Sequence, residues 1–178
     1  AEEASIIAST DISSLIQKDK DYLYIDVGGG STEFTVFSKG KVKKSRSFPI
    51  GTVRLLDNKV SNKTWEEVEH WIKKHTKDCE HIEAIGSGGN INKIHKNSNS
   101  REGEPLSYQY LTDYLNYVSG FTYDERIRLL GFNPDRADVI LYALTVFINA
   151  MKWSGAEIVH VPRIGLADGI VRSIYNEE

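Results

Sequence analysis

Cysteine occurs once in this sequence, as Cys79, which excludes an internal disulfide and a zinc site built from several thiolates. The chain also lacks an apolar run near the ~18 residues that a membrane-spanning helix requires. Its first ten residues include two acids, where a secretory leader would carry basic side chains. We therefore expect a cytoplasmic protein that has no membrane partner.

Positive charge is not in excess either, because 22 Lys and Arg residues stand against 25 Asp and Glu, for a formal net charge of -3. Dedicated nucleic-acid-binding proteins normally carry a strongly basic surface. We therefore expect no nucleic-acid partner. Any polyanionic substrate must be met by local positive potential rather than by the charge of the whole protein.

The 178 residues match the usual size of one domain. Three runs rich in β-forming residues come first, at Tyr22–Val27, Ser31–Phe37 and Val42–Phe48, and strands alternate with helices afterwards. A short turn joins the second and third runs, as in a hairpin. The pattern predicts one α/β domain with three antiparallel strands followed by βα units.

Helix signals divide the second part of the chain. Thr64 and Glu67 have the spacing of a capping box and predict the start of a helix. Asn133 followed by Pro134 predicts the start of another, with an apolar face that continues until Gly155. We interpret the latter as one long helix.

The most specific motif of the sequence joins the first two predicted strands. It comprises, in order, Asp26, Val27, Gly28, Gly29, Gly30, Ser31, Thr32 and Glu33. Glycines without a Cβ can adopt positive φ and point their N–H groups at phosphate oxygens. A carboxylate beside such a phosphate suits Mg²⁺. A plain glycine-rich hairpin turn is the alternative, but two acids, two hydroxyls and three glycines favour the functional interpretation.

A second glycine-rich segment follows a later strand and precedes a helix: Gly86, Ser87, Gly88 and Gly89. Backbone N–H groups at a helix N-terminus bind anions, although such turns often need glycine for geometry alone. Two such segments at neighbouring strand ends predict a cleft for a nucleotide or polyphosphate. Arg54 fits a phosphate contact and a surface ion pair equally well.

The order of these segments resembles the actin, sugar kinase and heat-shock chaperone ATPase superfamily. Within it, DVGGGSTE resembles the signature of the exopolyphosphatase / guanosine pentaphosphate phosphohydrolase (Ppx/GppA) family. Three further segments, AEEASII, FPIGTVRL and IGSGGNI, resemble segments of that family in the same order. Together the four cover nearly the whole chain.

The resemblance implies a ribonuclease-H-like lobe with a mixed five-stranded sheet flanked by helices. It also implies that the chain is the second, C-terminal lobe of a two-lobe phosphohydrolase, with the N-terminal lobe absent from it. The implied substrates are inorganic polyphosphate and guanosine pentaphosphate, and the implied cofactor is Mg²⁺. We expect little turnover from this lobe alone, and a homodimer is possible.

Roles follow residue by residue from the resemblance. Glu3 is expected to be the general base for the attacking water, Asp26 to hold Mg²⁺, and Glu33 to assist in placing the metal or the water. The residues expected to bind phosphate are Gly28, Gly29, Gly30, Ser31, Gly86, Ser87 and Gly88, with Arg54 as a further candidate. Ser5, Ala167 and Asp168 depart from the family pattern, which commonly has Arg, Arg and Glu there.

Two other functions remain open on the sequence. One is a non-catalytic phosphate-binding, nucleotide-binding or regulatory module that retains the glycine turns. The other is an ATP-dependent kinase or ATPase of the same superfamily. The lysine-rich hairpin from Lys39 to Arg46 could attract polyphosphate, but its alternation favours a solvated surface.

Overall fold

The computed structural model describes residues 15–101 and 103–162, which form a mixed sheet with helices on its surface. The strands are β1 (Asp21–Val27), β2 (Thr32–Ser38), β3 (Lys41–Phe48), β4 (Ile82–Ser87), β5 (Leu106–Ser107) and β6 (Ile158–His160). The helices are α1 (Thr52–Leu56), α2 (Asn62–Thr76), α3 (Gly89–Asn97), α4 (Tyr108–Ser119), α5 (Tyr123–Arg128), α6 (Pro134–Ala137) and α7 (Ile140–Ser154). Within these ranges, none of the helices is both long and apolar enough to cross a membrane.

The strand order is β3-β2-β1-β4-β6-β5. β1, β2 and β3 pair antiparallel, β4 and β6 run parallel to β1, and β5 is antiparallel to β6. The predicted α/β class, with three antiparallel strands followed by βα units, is confirmed. The predicted number of five strands is wrong, because β5 adds a sixth strand of two residues, too short to show a hydrophobic period.

One predicted helix start and the predicted length of another helix are also wrong. The N-cap of α2 is Ser61, whose side chain accepts a hydrogen bond from the Thr64 amide, so the helix begins three residues earlier than the capping-box spacing indicated. The helix predicted from Pro134 ends at Ala137, and α7 begins separately at Ile140. The Val139 amide donates to the Arg136 carbonyl, three residues back instead of four. This interrupts the α-helical hydrogen bonding, although apolar residues continue at helical spacing across the break.

The alternation of β1 assigns its side chains to two different cores. Leu23, Ile25 and Val27 point into the large core that the sheet forms with α2 and α7. Tyr22 and Tyr24 point to the opposite face, into a smaller cluster. Because side chains alternate along a strand, Asp26 lies on the face of the smaller cluster, at the end of the strand.

The ends of α7 and α4 provide a matched test of backbone conformation. Gly155 ends α7 with φ of 80°, whereas Gly120 ends α4 with φ of −72°. A Cβ at Gly155 would have open space around it, so its cost would be conformational alone. We expect Gly155→Ala to lower the free energy of unfolding by about 1–2 kcal/mol, measured by urea denaturation.

Gly120→Ala is the control, because its φ already suits an L-residue. We expect the free energy of unfolding to be unchanged or raised by up to about 1 kcal/mol. If both variants lost the same free energy of unfolding, this would contradict the assignment of a left-handed C-cap to Gly155 and not to Gly120.

Candidate functional site

Three of the predicted site residues form one row across the sheet. Asp26 lies opposite Glu33 in the antiparallel pair of β1 and β2, and opposite Ser87 in the parallel pair of β1 and β4. Residues paired in this way project from the same face of a sheet. The strand register therefore brings together the predicted metal residue, one predicted catalytic acid and one predicted phosphate-binding hydroxyl.

The row contains two carboxylates, and the charge of Glu33 disfavours ionisation of Asp26. Burial, and to a smaller extent repulsion by Glu33, raises the pKa of Asp26. A cation placed between two such groups would relieve this repulsion. In residues 15–101 and 103–162 there is no cluster of three or more His, Cys, Asp or Glu side chains arranged for a metal ion. Magnesium commonly takes only one or two protein carboxylates and completes its shell with water and phosphate, so the pair fits that ion.

The triple-glycine turn does not use the positive φ that its glycines make possible. None of the three has φ in the left-handed region. The turn closes instead through a 2.9 Å hydrogen bond from the Gly28 amide to the Ser31 carbonyl. Close contacts therefore limit side chains at only part of this turn: a Cβ at Gly28 would lie 3.1 Å from the Ser31 carbonyl oxygen, whereas a Cβ at Gly30 would have no atom within 4 Å.

A fourth glycine, Gly51, packs directly against the backbone of this turn. A Cβ at Gly51 would overlap the peptide that joins Gly29 to Gly30. Just beyond Gly51, the amides of Thr52 and Val53 donate to the carbonyls of Gly28 and Gly29, each at 3.0 Å. The start of α1 therefore holds the turn through backbone groups alone.

A buried threonine fixes the same junction from the other side. The hydroxyl of Thr32, at the start of β2, donates to the carbonyl of Ile50. Thr32 is fully buried, so this hydrogen bond is shielded from water. It ties β2 to the segment that carries Gly51.

Arg54 lies exposed on α1, directly after the residues that bind the turn. Its backbone amide is 3.4 Å from the Gly29 carbonyl. Among the residues that the structure describes, its guanidinium makes no ion pair and no hydrogen bond. The surface ion pair considered for Arg54 is thus not formed within this part of the chain, and its charge is available to an anion.

The second glycine segment touches the first. Gly88 is the N-cap of α3 with φ of 112°, and a Cβ there would lie 3.0 Å from the Val27 carbonyl oxygen and 3.6 Å from Asp26 Oδ1. Gly86 has a different surrounding, because a Cβ there would meet the core side chains of Phe147 and Val159 at 3.0 and 3.1 Å. Gly86 is therefore demanded by core packing, whereas Gly88 brings the helix N-terminus to Asp26.

Arg136 is a residue of this region that the sequence did not single out. From α6, its guanidinium donates to the carbonyl of Gly89 at the first turn of α3. No motif signals this contact, since it joins segments 47 residues apart. It adds a second cation beside the glycine turns.

Four of the discussed positions lie outside the described residues. These are Glu3, the predicted general base, and the three departures from the family pattern, Ser5, Ala167 and Asp168. Their predicted roles therefore stay predictions.

Comparison with known proteins identifies similar chains. The model of the Ppx/GppA phosphatase family matches residues 1–178. A curated relative, the bifunctional 3-dehydroquinate synthase/phosphatase of Fusobacterium nucleatum, is 27% identical, with the alignment covering 84% of this chain and 26% of that protein. This chain therefore spans about a quarter of its curated relative.

Two solved structures show the same fold. A Ppx/GppA phosphatase of Aquifex aeolicus superposes with a TM-score of 0.72 at 23% identity, covering 91% of this chain and 59% of that one. An exopolyphosphatase of Cytophaga hutchinsonii superposes with a TM-score of 0.78 at 20% identity, covering 98% of this chain and 63% of that one. In both cases this chain matches less than two thirds of the solved structure.

The contact at Gly51 gives a direct test of the turn. We expect Gly51→Ala to lower the free energy of unfolding by about 2 kcal/mol, because its Cβ must displace backbone rather than a flexible side chain. Amide hydrogen exchange at Thr52 and Val53 should accelerate, since both amides bond the displaced turn. Gly30→Ala is the matched control, with no atom within 4 Å of the added Cβ. Similar losses in both variants would refute the close contact.

The repulsion at Asp26 gives a second test, on the pH dependence of stability. A carboxyl whose pKa is raised by folding lowers stability when ionised, and this penalty vanishes below its unfolded pKa of about 3.9. We therefore expect Asp26→Asn to raise the free energy of unfolding at neutral pH, with a gain that shrinks as the pH falls. Asp113→Asn, at an exposed position on α4, should show no such gain. A gain that grows towards low pH would contradict the raised pKa.

Proposed function

The chain belongs to the Ppx/GppA phosphatase family, and from this premise we propose that it forms one lobe of a phosphohydrolase. The proposed reaction is the release of terminal phosphate from inorganic polyphosphate or guanosine pentaphosphate. The observation that carries the proposal is the row of Asp26, Glu33 and Ser87 beside two glycine turns that touch each other.

The proposed chemistry is in-line attack of water on a phosphoryl group. Catalysis of this reaction depends mainly on positioning and on neutralising charge at the phosphoryl oxygens. Because the Gly28 amide closes the turn on Ser31, the backbone N–H groups proposed for the phosphates are those of Gly29, Gly30 and Gly88. Arg54 and Arg136 add positive charge at the edge of the same site.

Asp26 is the proposed residue for Mg²⁺, directly or through a water molecule, with Glu33 beside it. When bound, such a metal neutralises charge on the phosphoryl oxygens. Binding requires that Asp26 be ionised, and burial and Glu33 raise its pKa. Metal affinity should therefore increase as the pH rises through that pKa.

The general base is proposed to be Glu3, on the family resemblance of the AEEASII segment. A carboxylate can take the proton of the attacking water when it lies within hydrogen-bond reach of it. Glu33 would then orient the water or complete the metal site. The two acids are proposed to have separate roles.

A second lobe is proposed to complete the cleft. This chain matches 59% and 63% of the two solved structures, which leaves room in such proteins for a further, smaller unit. With half of the cleft, the lobe would hold a phosphate chain weakly and hydrolyse it slowly.

The test is phosphate release by the full-length protein, with long-chain polyphosphate and guanosine pentaphosphate as substrates. We expect Asp26→Asn and Glu3→Gln each to lower kcat by about 10²–10⁴-fold, the range typical of losing an acid–base or metal-holding group. Asp113→Asn is the control and should retain the rate. The 178-residue lobe should release phosphate far more slowly than the full-length protein.

Two results would overturn this proposal. An inactive full-length protein that still binds polyphosphate would favour the non-catalytic module, to which the departures at Ser5, Ala167 and Asp168 point. Hydrolysis of ATP that depends on a second acceptor substrate would favour a kinase.

A further inference from the structure

A groove of about 690 Å³ lies between α2, α7 and the end of α1. It is on the side of the sheet that α2 and α7 cover, whereas Asp26 lies on the opposite face. The groove is therefore separate from the site described above. Its volume falls in the range of roughly 300–1,000 Å³ that is typical of pockets for small molecules.

Aromatic side chains are concentrated in this groove. Two of the three tryptophans of the chain line it, Trp65 from α2 and Trp153 from α7, together with Tyr142. The two indole rings meet edge to face, with their centroids 6.0 Å apart. Both tryptophans are only partly buried, so part of each ring remains accessible to a ligand.

Two carboxylates share the side of α2 that carries one of these rings. Glu69 lies four residues after Trp65 and three after Glu66, and these spacings bring the three side chains to one side of the helix. Three amide side chains complete the polar part of the lining: Asn58, Asn62 and Asn149. The groove thus combines aromatic rings, carboxylates and amide groups.

The charge of the lining is negative. Among the described residues that form it there are two glutamates and no lysine, arginine or histidine. In the part of the chain that the structure describes, Glu66 makes no salt bridge. Oε1 of Glu69 lies 2.5 Å from Nζ of Lys73, but this pair is exposed to solvent and such pairs contribute little. The groove therefore attracts cations and repels phosphate compounds.

The lining also discriminates among cations. A metal ion is disfavoured, because no three His, Cys, Asp or Glu side chains of the described residues are arranged to hold one. An ammonium group can form charge-assisted hydrogen bonds with carboxylates and is attracted to the face of an indole ring. A quaternary ammonium ion has no N–H group and cannot donate such hydrogen bonds.

The distance between the two carboxylates favours a ligand with more than one ammonium group. Residues three apart on a helix have Cβ atoms about 5–6 Å from each other. Two amino groups joined by a short alkyl chain can span this distance. The methylene groups between them are apolar and suit the partly exposed rings.

We propose that this groove binds a linear aliphatic polyamine, a chain of methylene groups that carries two or more ammonium groups. The ammonium groups bind Glu66 and Glu69, and the methylene groups lie against Trp65 and Trp153. The inference does not depend on the proposed phosphohydrolase activity, because it concerns a different part of the molecule.

The experiment compares two double variants of equal charge on the 178-residue chain. Glu66→Gln with Glu69→Gln neutralises the groove. Glu67→Gln with Asp113→Asn is the control, since both acids are exposed and neither lines the groove. Trp65→Leu removes one ring, and thermal unfolding confirms that each variant is folded. Calorimetry measures the binding of spermidine, of tetramethylammonium and of the uncharged 1,4-butanediol.

For the groove pair we expect the Kd of spermidine to rise about tenfold, because two charge-assisted hydrogen bonds are lost. Trp65→Leu should raise it about 2–5-fold, the effect of one cation–π contact at a partly exposed site. The control pair should leave the Kd unaltered. Tetramethylammonium should bind more weakly than spermidine, and 1,4-butanediol should not bind.

Tryptophan fluorescence locates the bound ligand. Spermidine should protect Trp65 and Trp153 from quenching by acrylamide. The third tryptophan, Trp71, is only 5% exposed and is already shielded without a ligand. A decrease in quenching on binding is therefore expected from the two rings of the groove.

Equal spermidine affinity in the two double variants would overturn the proposal, because binding would then reflect only the general attraction of an acidic protein. Tetramethylammonium binding as tight as that of spermidine would also overturn it, since hydrogen bonds to the carboxylates would then be irrelevant. Spermidine binding that leaves acrylamide quenching unchanged would place the ligand outside the groove and contradict the assignment. Failure of the proposed function would appear in phosphate release and would leave each of these outcomes unaffected.

Discussion

The candidate site depends on one steric constraint, the contact of Gly51 with the peptide between Gly29 and Gly30. Gly51 has no Cβ, and there is no space for one. The first turn of α1 can therefore lie close enough for its amides to bond the carbonyls of the glycine turn. This contact joins segments that are separated by the whole β2–β3 hairpin. The contact therefore fixes the backbone that positions the side chains of the site.

The strand register adds the electrostatic part of the site. A shift of one residue between β1 and β2 would turn Asp26 or Glu33 towards the large core. The apolar residues Leu23, Ile25 and Phe34 prevent such a shift, since they must stay buried on that side. Hydrophobic burial thus holds two carboxylates close together on the opposite face, although their mutual repulsion and the burial of Asp26 oppose it.

The sequence was informative where a local pattern determines the structure. Alternation and glycine clusters located β1, β2 and the two turns, and they placed Asp26 at a strand end. Local patterns could not indicate that Gly51 is required by contact with Gly29, or that Arg136 reaches Gly89, since both contacts arise between distant segments. The break between α6 and α7 was missed because the apolar spacing continues through it.

The two outer strands of the described sheet have a consequence for association between molecules. An exposed strand edge offers unpaired backbone groups to a second sheet, which is how many proteins aggregate. On one side, β3 places Lys41, Lys43, Lys44 and Arg46 along that edge, so two copies would repel each other there. On the other side, β5 has only two residues and offers too short a template. The charged side chains of β3 therefore protect the folded protein from sheet-to-sheet polymerisation.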